Sequence, residues 1–203
     1  MSTKAIAIAV AAVFAAWAAA SPVPAQTRGN TGPRATHAAL QTRGMSADKY
    51  VQSAAMSDMF ETQSSKLALQ RSQNPDVKAF AQRMIDDHTQ STQKLTGLLQ
   101  SASVSTAPPP RGLDGTHQHM LQQLQSASGG QFDRLYMQMQ VKGHQEALKV
   151  QEGYSRRGDN DQLKTFASDA SSMVQDHLSQ AQQVLRGLSS RRGAQRGAGT
   201  TMQ

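Results

Sequence analysis

Apolar residues recur at intervals of three and four along most of this sequence, which is the periodicity of helices that bury one face. Four long segments and one short segment carry the pattern: residues 46–73, 75–100, 113–125, 131–157 and 161–188. Strand-like alternation is scarce, and runs of β-branched residues are few. The pattern predicts an all-α fold.

The segment 75–100 has the clearest helix signals. Asn74 is a favoured N-cap, Pro75 suits the first helical position, and the Asp76 carboxylate favours the positive end of the helix dipole. One apolar stripe follows, formed by Val77, Phe80, Ala81, Met84, Leu95, Leu98 and Leu99. This helix is therefore predicted to face a core. The segment 46–73 spreads its apolar residues around most of the helix, so its buried side stays open.

The segment 161–188 repeats part of the residue pattern of the segment 75–100. Val77-Lys78-Ala79-Phe80-Ala81 and Asp87-His88 return as Leu163-Lys164-Thr165-Phe166-Ala167 and Asp176-His177. The repetition indicates two related helix pairs, and a proline-rich connection with the short helix joins them. We predict a ferritin-like four-helix bundle of two helical hairpins with a long crossover that contains a short helix.

The first residues have the layout of a signal peptide. Lys4 precedes an apolar run over residues 5–20, and small residues allow cleavage after Ala25 or after Ala20. An uncleaved N-terminal anchor is the alternative. Cleavage predicts a periplasmic or secreted protein with no remaining transmembrane segment.

The amino-acid composition excludes some kinds of bond and metal site. The 203 residues include no cysteine, which excludes disulfides and thiolate metal sites. The net charge of +7 resides in the two ends, because the helical region is nearly neutral. We predict four parts: a signal peptide at 1–25, a disordered arm at 26–45, the bundle domain at 46–188 and a disordered basic tail at 189–203.

The basic tail suggests one class of partner. Export removes the chain from cytoplasmic nucleic acid, so no nucleic-acid partner is expected. The cationic residues near the end lack interleaved aromatic side chains, which favours contact with anionic envelope surfaces over base stacking. They are Arg186, Arg191, Arg192 and Arg196. A solvated tail that aids solubility is the alternative.

Each long helix offers one inward polar side chain that can bind a metal. His88 and His177 lie in the middle of their apolar stripes, His144 falls within the broad face of its helix, and Glu61 lies in a strip of small residues. Side chains at one height of a bundle converge, so these four predict a site for one divalent transition metal. The alternative is a set of core polar groups that hydrogen-bond one another.

Methionine thioethers are a second candidate ligand set, because they bind cuprous copper. They are Met56, Met59, Met84, Met120, Met137, Met139 and Met173. Flexible packing of the core is the alternative use of methionine. The sequence has no phosphate-binding loop, no nucleophile elbow and no paired histidines with a catalytic glutamate, so no catalytic residue is assigned.

The stretches 54–68, 74–81 and 84–88, with 132–137, His144 and Asp176-His177, resemble a bacterial family, the domain-of-unknown-function 4142 family. Its members are exported and often labelled outer-membrane proteins. The resemblance covers about residues 46–188 and implies a ferritin-like bundle without an established activity. The Glu-x-x-His motifs of di-iron members of the wider ferritin-like group are missing, because Ile85 and Val174 occupy the glutamate positions.

The leading hypothesis is an exported, non-enzymatic helical bundle that holds a divalent metal in its core and serves envelope stress or metal handling. A metal-dependent redox enzyme at the same cluster is one competing hypothesis. A binding protein that contacts anionic envelope surfaces through its basic tails is the other.

Overall fold

The computed structural model describes residues 44–101 and 104–199, with side chains described as far as residue 190. It contains five helices, α1 (Ala47–Arg71), α2 (Pro75–Leu99), α3 (Gly115–Ser126), α4 (Gly129–Arg157) and α5 (Asp161–Gly199). These residues include no strand. The predicted all-α class is confirmed, and the first four helices lie within one turn of their predicted bounds.

The helices form two hairpins, α1 with α2 and α4 with α5. Helix α1 also packs on α4, and α2 packs on α5, so the order around the bundle is α1, α2, α5, α4. The crossover between the hairpins carries α3, which lies mainly against α1. This is the predicted ferritin-like arrangement with a long crossover.

Side-chain caps set where the helices begin. Asn74 Oδ1 accepts from the backbone N–H of Asp76 at 2.9 Å and from that of Val77 at 3.3 Å, with Pro75 as the first helical residue. Asp114 caps α3 in the same way by accepting from His117 N at 2.9 Å. Each cap satisfies donors that would otherwise lack a partner at the helix start.

Helix α5 differs from the prediction at its end. The sequence predicts a disordered basic tail from residue 189, whereas α5 continues as a helix to Gly199. Arg191, Arg192 and Arg196 have high helix propensity, so the backbone stays helical beyond Leu188, the last apolar position of the stripe.

The predicted signal peptide and nearly all of the predicted arm lie outside the described residues. None of the described helices is both long and apolar enough to cross a membrane.

The interior has two apolar cores with a polar layer between them. One core joins Phe80 and Met84 to Phe132, Tyr136 and Met137. The other joins the start of α1 and the end of α4 to the start of α5, and includes Tyr50, Val51, Tyr154, Leu163 and Phe166. Between them lie the buried polar side chains Asp58, Glu61, His88, Ser91, Gln140, His144 and His177. All seven come from the middle parts of the four long helices.

Tyr50 fixes the packing of α1 against α4 in the second core. Its hydroxyl donates to Gln151 Oε1 at 2.6 Å, and its ring stacks on Tyr154 with the ring centroids 4.0 Å apart. The buried face of α1, which the sequence left open, is thereby settled. It carries Tyr50, Val51, Ala54, Asp58, Glu61, Ser65 and Ala68, among others.

Candidate metal centre

Three histidines meet in the polar layer, one each from α2, α4 and α5. His88, His144 and His177 are 2%, 1% and 0% exposed, so none of the three rings faces bulk water. Their ring centroids lie 5.3–5.8 Å apart. One ring nitrogen of each lies within 4.8 Å of one from each of the others, which is close enough for a shared cation after small adjustments.

His88 is held by a carboxylate from α1. Its Nδ1 lies 2.8 Å from Asp58 Oδ1, while Thr92 Oγ1 donates to Asp58 Oδ2 at 3.2 Å. A carboxylate accepts, so the proton of the neutral ring resides on Nδ1. His88 Nε2 then carries a lone pair, and it has no hydrogen-bond partner among the described residues.

His144 is held by the backbone of its own helix. Its Nδ1 donates to the carbonyl oxygen of Gln140 at 2.8 Å. A carbonyl oxygen can only accept, which places the hydrogen on Nδ1 and a lone pair on Nε2. His144 Nε2 is also buried without a hydrogen-bond partner in the described part of the chain.

His177 is held from the opposite hairpin. Its Nε2 donates to Asp87 Oδ2 at 2.7 Å, and Arg83 Nε lies 3.2 Å from the same oxygen. Partial burial favours the neutral form of Asp87, but the hydrogen bonds from His177 and Arg83 outweigh it and keep the pKa of this carboxyl below its usual range. The remaining nitrogen, His177 Nδ1, is buried without a hydrogen-bond partner among the residues described.

Each histidine therefore has one nitrogen fixed by an acceptor and one that is free. Burial, together with the charge of neighbouring His88, lowers the pKa of His144 and of His177 to about 4. Burial also disfavours the charged form of His88, yet the hydrogen bond to Asp58 and the nearby carboxylates raise its pKa overall.

Glu61 lies beside the three histidines and outside their group. Its side chain is buried, and its Oε1 is 3.9 Å from His144 Nδ1, the nitrogen already bonded to Gln140. Burial raises the pKa of this carboxyl, and its Oε2 has no hydrogen-bond partner among the described residues. Of the four predicted ligands, the structure brings three histidines together and places Glu61 next to them.

The sequence did not identify the groups that orient the rings. Asp87 is adjacent to His88 in the sequence, but its carboxylate bonds His177 on α5. Asp58 lies one turn before Glu61 on α1, and that i, i+3 spacing was a signal that could have placed it on the same buried face. The backbone carbonyl of Gln140 could not be identified from the sequence as the acceptor for His144, because every helix residue has a carbonyl.

Three of the seven candidate methionines lie in an apolar core. Met84, Met137 and Met139 belong to the apolar core on one side of the polar layer. This position suits the packing role of methionine, whose flexible side chain fills irregular gaps in a core.

The chain belongs to the family Domain of unknown function (DUF4142), whose family model matches residues 31–184. Among curated proteins, none matches. Three solved structures share the fold. CopM in the Cu(II)-bound form is 17% identical, with a TM-score of 0.60 over 71% of this chain and 98% of that chain.

The other two structures are DUF305 proteins. One, from Streptomyces coelicolor, is 16% identical, with a TM-score of 0.58 over 70% of this chain and 92% of that chain. The other, a fragment from Deinococcus radiodurans, is 14% identical, with a TM-score of 0.59 over 70% and 97%. At these identities the likeness shows the fold alone.

Proposed function

We propose that this member of the DUF4142 family binds one divalent transition-metal cation, copper(II) in preference to zinc, at the histidine cluster. The ligands are His88 Nε2, His144 Nε2 and His177 Nδ1. One observation supports the assignment above all: each buried ring has one nitrogen fixed by a protein acceptor and the other without a hydrogen-bond partner among the described residues.

The energetics favour a bound cation over a purely structural cluster. A buried polar atom without a partner costs about 1–3 kcal/mol, and five lie in this layer among the described residues: one ring nitrogen of each histidine, Glu61 Oε2 and Gln140 Oε1. The described residues place no donor within hydrogen-bond distance of the lone pairs of His88 Nε2, His144 Nε2 and His177 Nδ1. A cation removes the cost by accepting all three lone pairs.

The ligand set favours copper and zinc among biological metals. Neutral imidazoles suit both ions, and the Irving–Williams order places copper(II) above zinc at nitrogen sites. Asp58 and Asp87 add the outer carboxylates that commonly orient metal-bound histidines. CopM, which shares the fold, has a Cu(II)-bound form, and this supports the same choice of ion.

We assign the centre to metal handling rather than catalysis. Three protein ligands leave a fourth position, but a catalytic metal needs that position to be open to substrate, and the three rings are at most 2% exposed. Binding would take place outside the cytoplasm if the predicted signal peptide directs export. In line with this, the Streptomyces coelicolor relative is considered a secreted protein.

Calorimetry with copper(II) and zinc on the untagged protein tests the proposal. We expect one equivalent of copper(II) to bind, and none in a variant with His88→Gln, His144→Gln and His177→Gln combined. The control is His119→Gln, which changes an exposed histidine on α3. Circular dichroism verifies that each variant is helical. Absence of binding to the unaltered protein, or unchanged binding by the triple variant, would overturn the proposal.

The predicted contact of Arg186, Arg191, Arg192 and Arg196 with anionic envelope surfaces stays a prediction. The side chains beyond residue 190 are outside the described part.

A further inference from the structure

Three cavities approach the polar layer from different sides of the bundle. The cavity between α1, α3 and α4 has a volume of about 530 Å³ and reaches Glu61. A cavity of about 400 Å³ between α1 and α2 reaches Asp58, and one of about 250 Å³ between α2 and α5 reaches Asp87. Each cavity is therefore lined by a carboxylate that lies close to a histidine of the cluster.

The three carboxylates differ in what they already bind. Both oxygens of Asp58 are engaged, by His88 and by Thr92. Asp87 Oδ2 holds His177 and Arg83, and the guanidinium repels an approaching cation. Glu61 Oε2, in contrast, is buried without a hydrogen-bond partner among the described residues. Among these three carboxylates, Glu61 is therefore the buried one with an oxygen left for a cation.

Glu61 lies directly next to the cluster. Its Oε1 is 3.9 Å from His144 Nδ1, and its side chain is 3% exposed. Gly143 on α4 lines the same cavity, and a Cβ there would lie 3.4 Å from Glu61 Oε1. The absence of a side chain at Gly143 leaves the carboxylate room to move between the cavity and the cluster.

A histidine stands at the outer part of the same cavity. His117 Nδ1 lies 2.7 Å from Asp114 Oδ1, and its side chain is 28% exposed. Its ring packs on Phe60, with centroids 5.2 Å apart. A carboxylate fixes one ring nitrogen here as it does for His88, so Nε2 is the nitrogen left for a cation.

We propose that the cavity between α1, α3 and α4 is the path by which the divalent cation reaches the histidine cluster, with His117 as an outer and Glu61 as an inner transient ligand. This inference rests on the proposed metal centre. One or two ligands hold a cation less tightly than three imidazoles, so the ion passes inward. The carboxylates of Glu61, Asp114 and Glu146 outnumber Lys142 along this cavity, and an excess of negative charge raises the local concentration of cations.

Stopped-flow mixing of copper(II) with the metal-free, untagged protein tests the path. The variants Glu61→Gln and His117→Gln each remove a transient ligand while nearly keeping side-chain size. We expect loading to slow by about tenfold in each, because a charged cleft accelerates association by that order or more. Copper release slows to the same extent, so the stoichiometry of one and the affinity are retained.

Two controls separate a local effect from a general change of charge. Glu152→Gln removes a solvent-facing carboxylate of α4 that does not line the cavity, and His119→Gln removes an exposed imidazole of α3. Both load copper at the rate of the unaltered protein. Glu61 is buried, so Glu61→Gln could fold poorly. His117 is partly exposed, so His117→Gln still tests the path in that case.

The outcomes distinguish the path from the metal centre itself. If the unaltered protein binds copper and both path variants load at its rate, the path is wrong and the centre stands. If Glu61→Gln loses the copper stoichiometry, Glu61 is a permanent ligand, which also overturns its transient role. If the unaltered protein binds no copper, the metal centre fails first, and the path fails with it.

Discussion

Asp87 is adjacent to His88 in the sequence, yet its carboxylate holds His177 on the opposite hairpin, with 2.7 Å between Asp87 Oδ2 and His177 Nε2. The bond joins α2 to α5 and fixes the tautomer of His177, leaving Nδ1 as the lone pair for a metal. Asp58 does the same for His88 from α1. The carboxylates thus orient rings that come from other helices.

Replacement of Asp87 should weaken metal binding without loss of the fold. In Asp87→Asn the amide no longer favours the Nε2–H tautomer as strongly, and we expect a 10- to 100-fold weaker copper affinity, the usual effect of losing an outer partner. Competitive titration against a copper chelator measures it. The adjacent Asp86→Asn is the control, because Asp86 is exposed and accepts a hydrogen bond from Gln82 on its own helix. Equal affinities for the two variants would contradict the role of Asp87.

Replacement of His144 by leucine should raise the stability of the metal-free protein and abolish copper binding. His144 is 1% exposed with an unpaired nitrogen, so an apolar side chain of similar size removes a buried polar cost of about 1–3 kcal/mol. We expect His144→Leu to unfold at higher urea concentration than the metal-free protein and to bind no copper. The exposed His119→Leu should change neither property. Marked destabilisation of His144→Leu would indicate a purely structural histidine.

The metal-free protein should lose stability as the pH falls from about 6.5 to about 4. The pKa values of His144 and His177 are about 4 in the folded protein, so the unfolded chain binds protons that the folded chain excludes in this window. Each group then opposes folding by up to roughly 3 kcal/mol at the acid end. His88 acts in the opposite sense, because its raised pKa adds stability below about 6.5 that is lost at higher pH.

Urea unfolding at several pH values measures this dependence. The same series on His144→Leu should show a shallower loss on the acid side, since one of the two groups is gone. A flat stability profile between pH 7 and pH 4 for the unaltered protein would contradict the burial of neutral histidines.

Tyr50 should matter for stability alone. Tyr50→Phe removes the 2.6 Å hydrogen bond to Gln151 and leaves a buried amide oxygen unpaired, which costs about 1–3 kcal/mol. Copper affinity should stay unchanged, because Tyr50 lies in the second apolar core and not in the polar layer. Denaturant unfolding and copper titration on the same sample check both expectations, and an altered affinity would show that the core and the metal centre are coupled.

The helices could be predicted because local signals define them. Asn74 and Pro75 mark the start of α2, and the stripe through Phe80 and Met84 marks its buried face. The end of α5 could not be predicted from the loss of apolar residues, because arginine and alanine sustain a helix without a core to face.

The candidate site could be predicted in part for a similar reason. Three histidines could be recognised from the sequence because they are polar residues on apolar helix faces: His88, His144 and His177. The height at which helices meet depends on the crossover and the packing, which no local pattern contains. The sequence proposes Glu61 as a fourth ligand; the structure places its Oε1 3.9 Å from His144 Nδ1, and the fourth ligand stays a prediction.

The most direct test is a crystal structure of the untagged protein loaded with one equivalent of copper(II), with anomalous diffraction measured at the copper edge. We expect one anomalous peak about 2.0–2.1 Å from His88 Nε2, His144 Nε2 and His177 Nδ1, the usual distance between a metal of this class and an imidazole nitrogen. A peak elsewhere, or a water molecule bridging the three rings in the copper-loaded crystal, would contradict it.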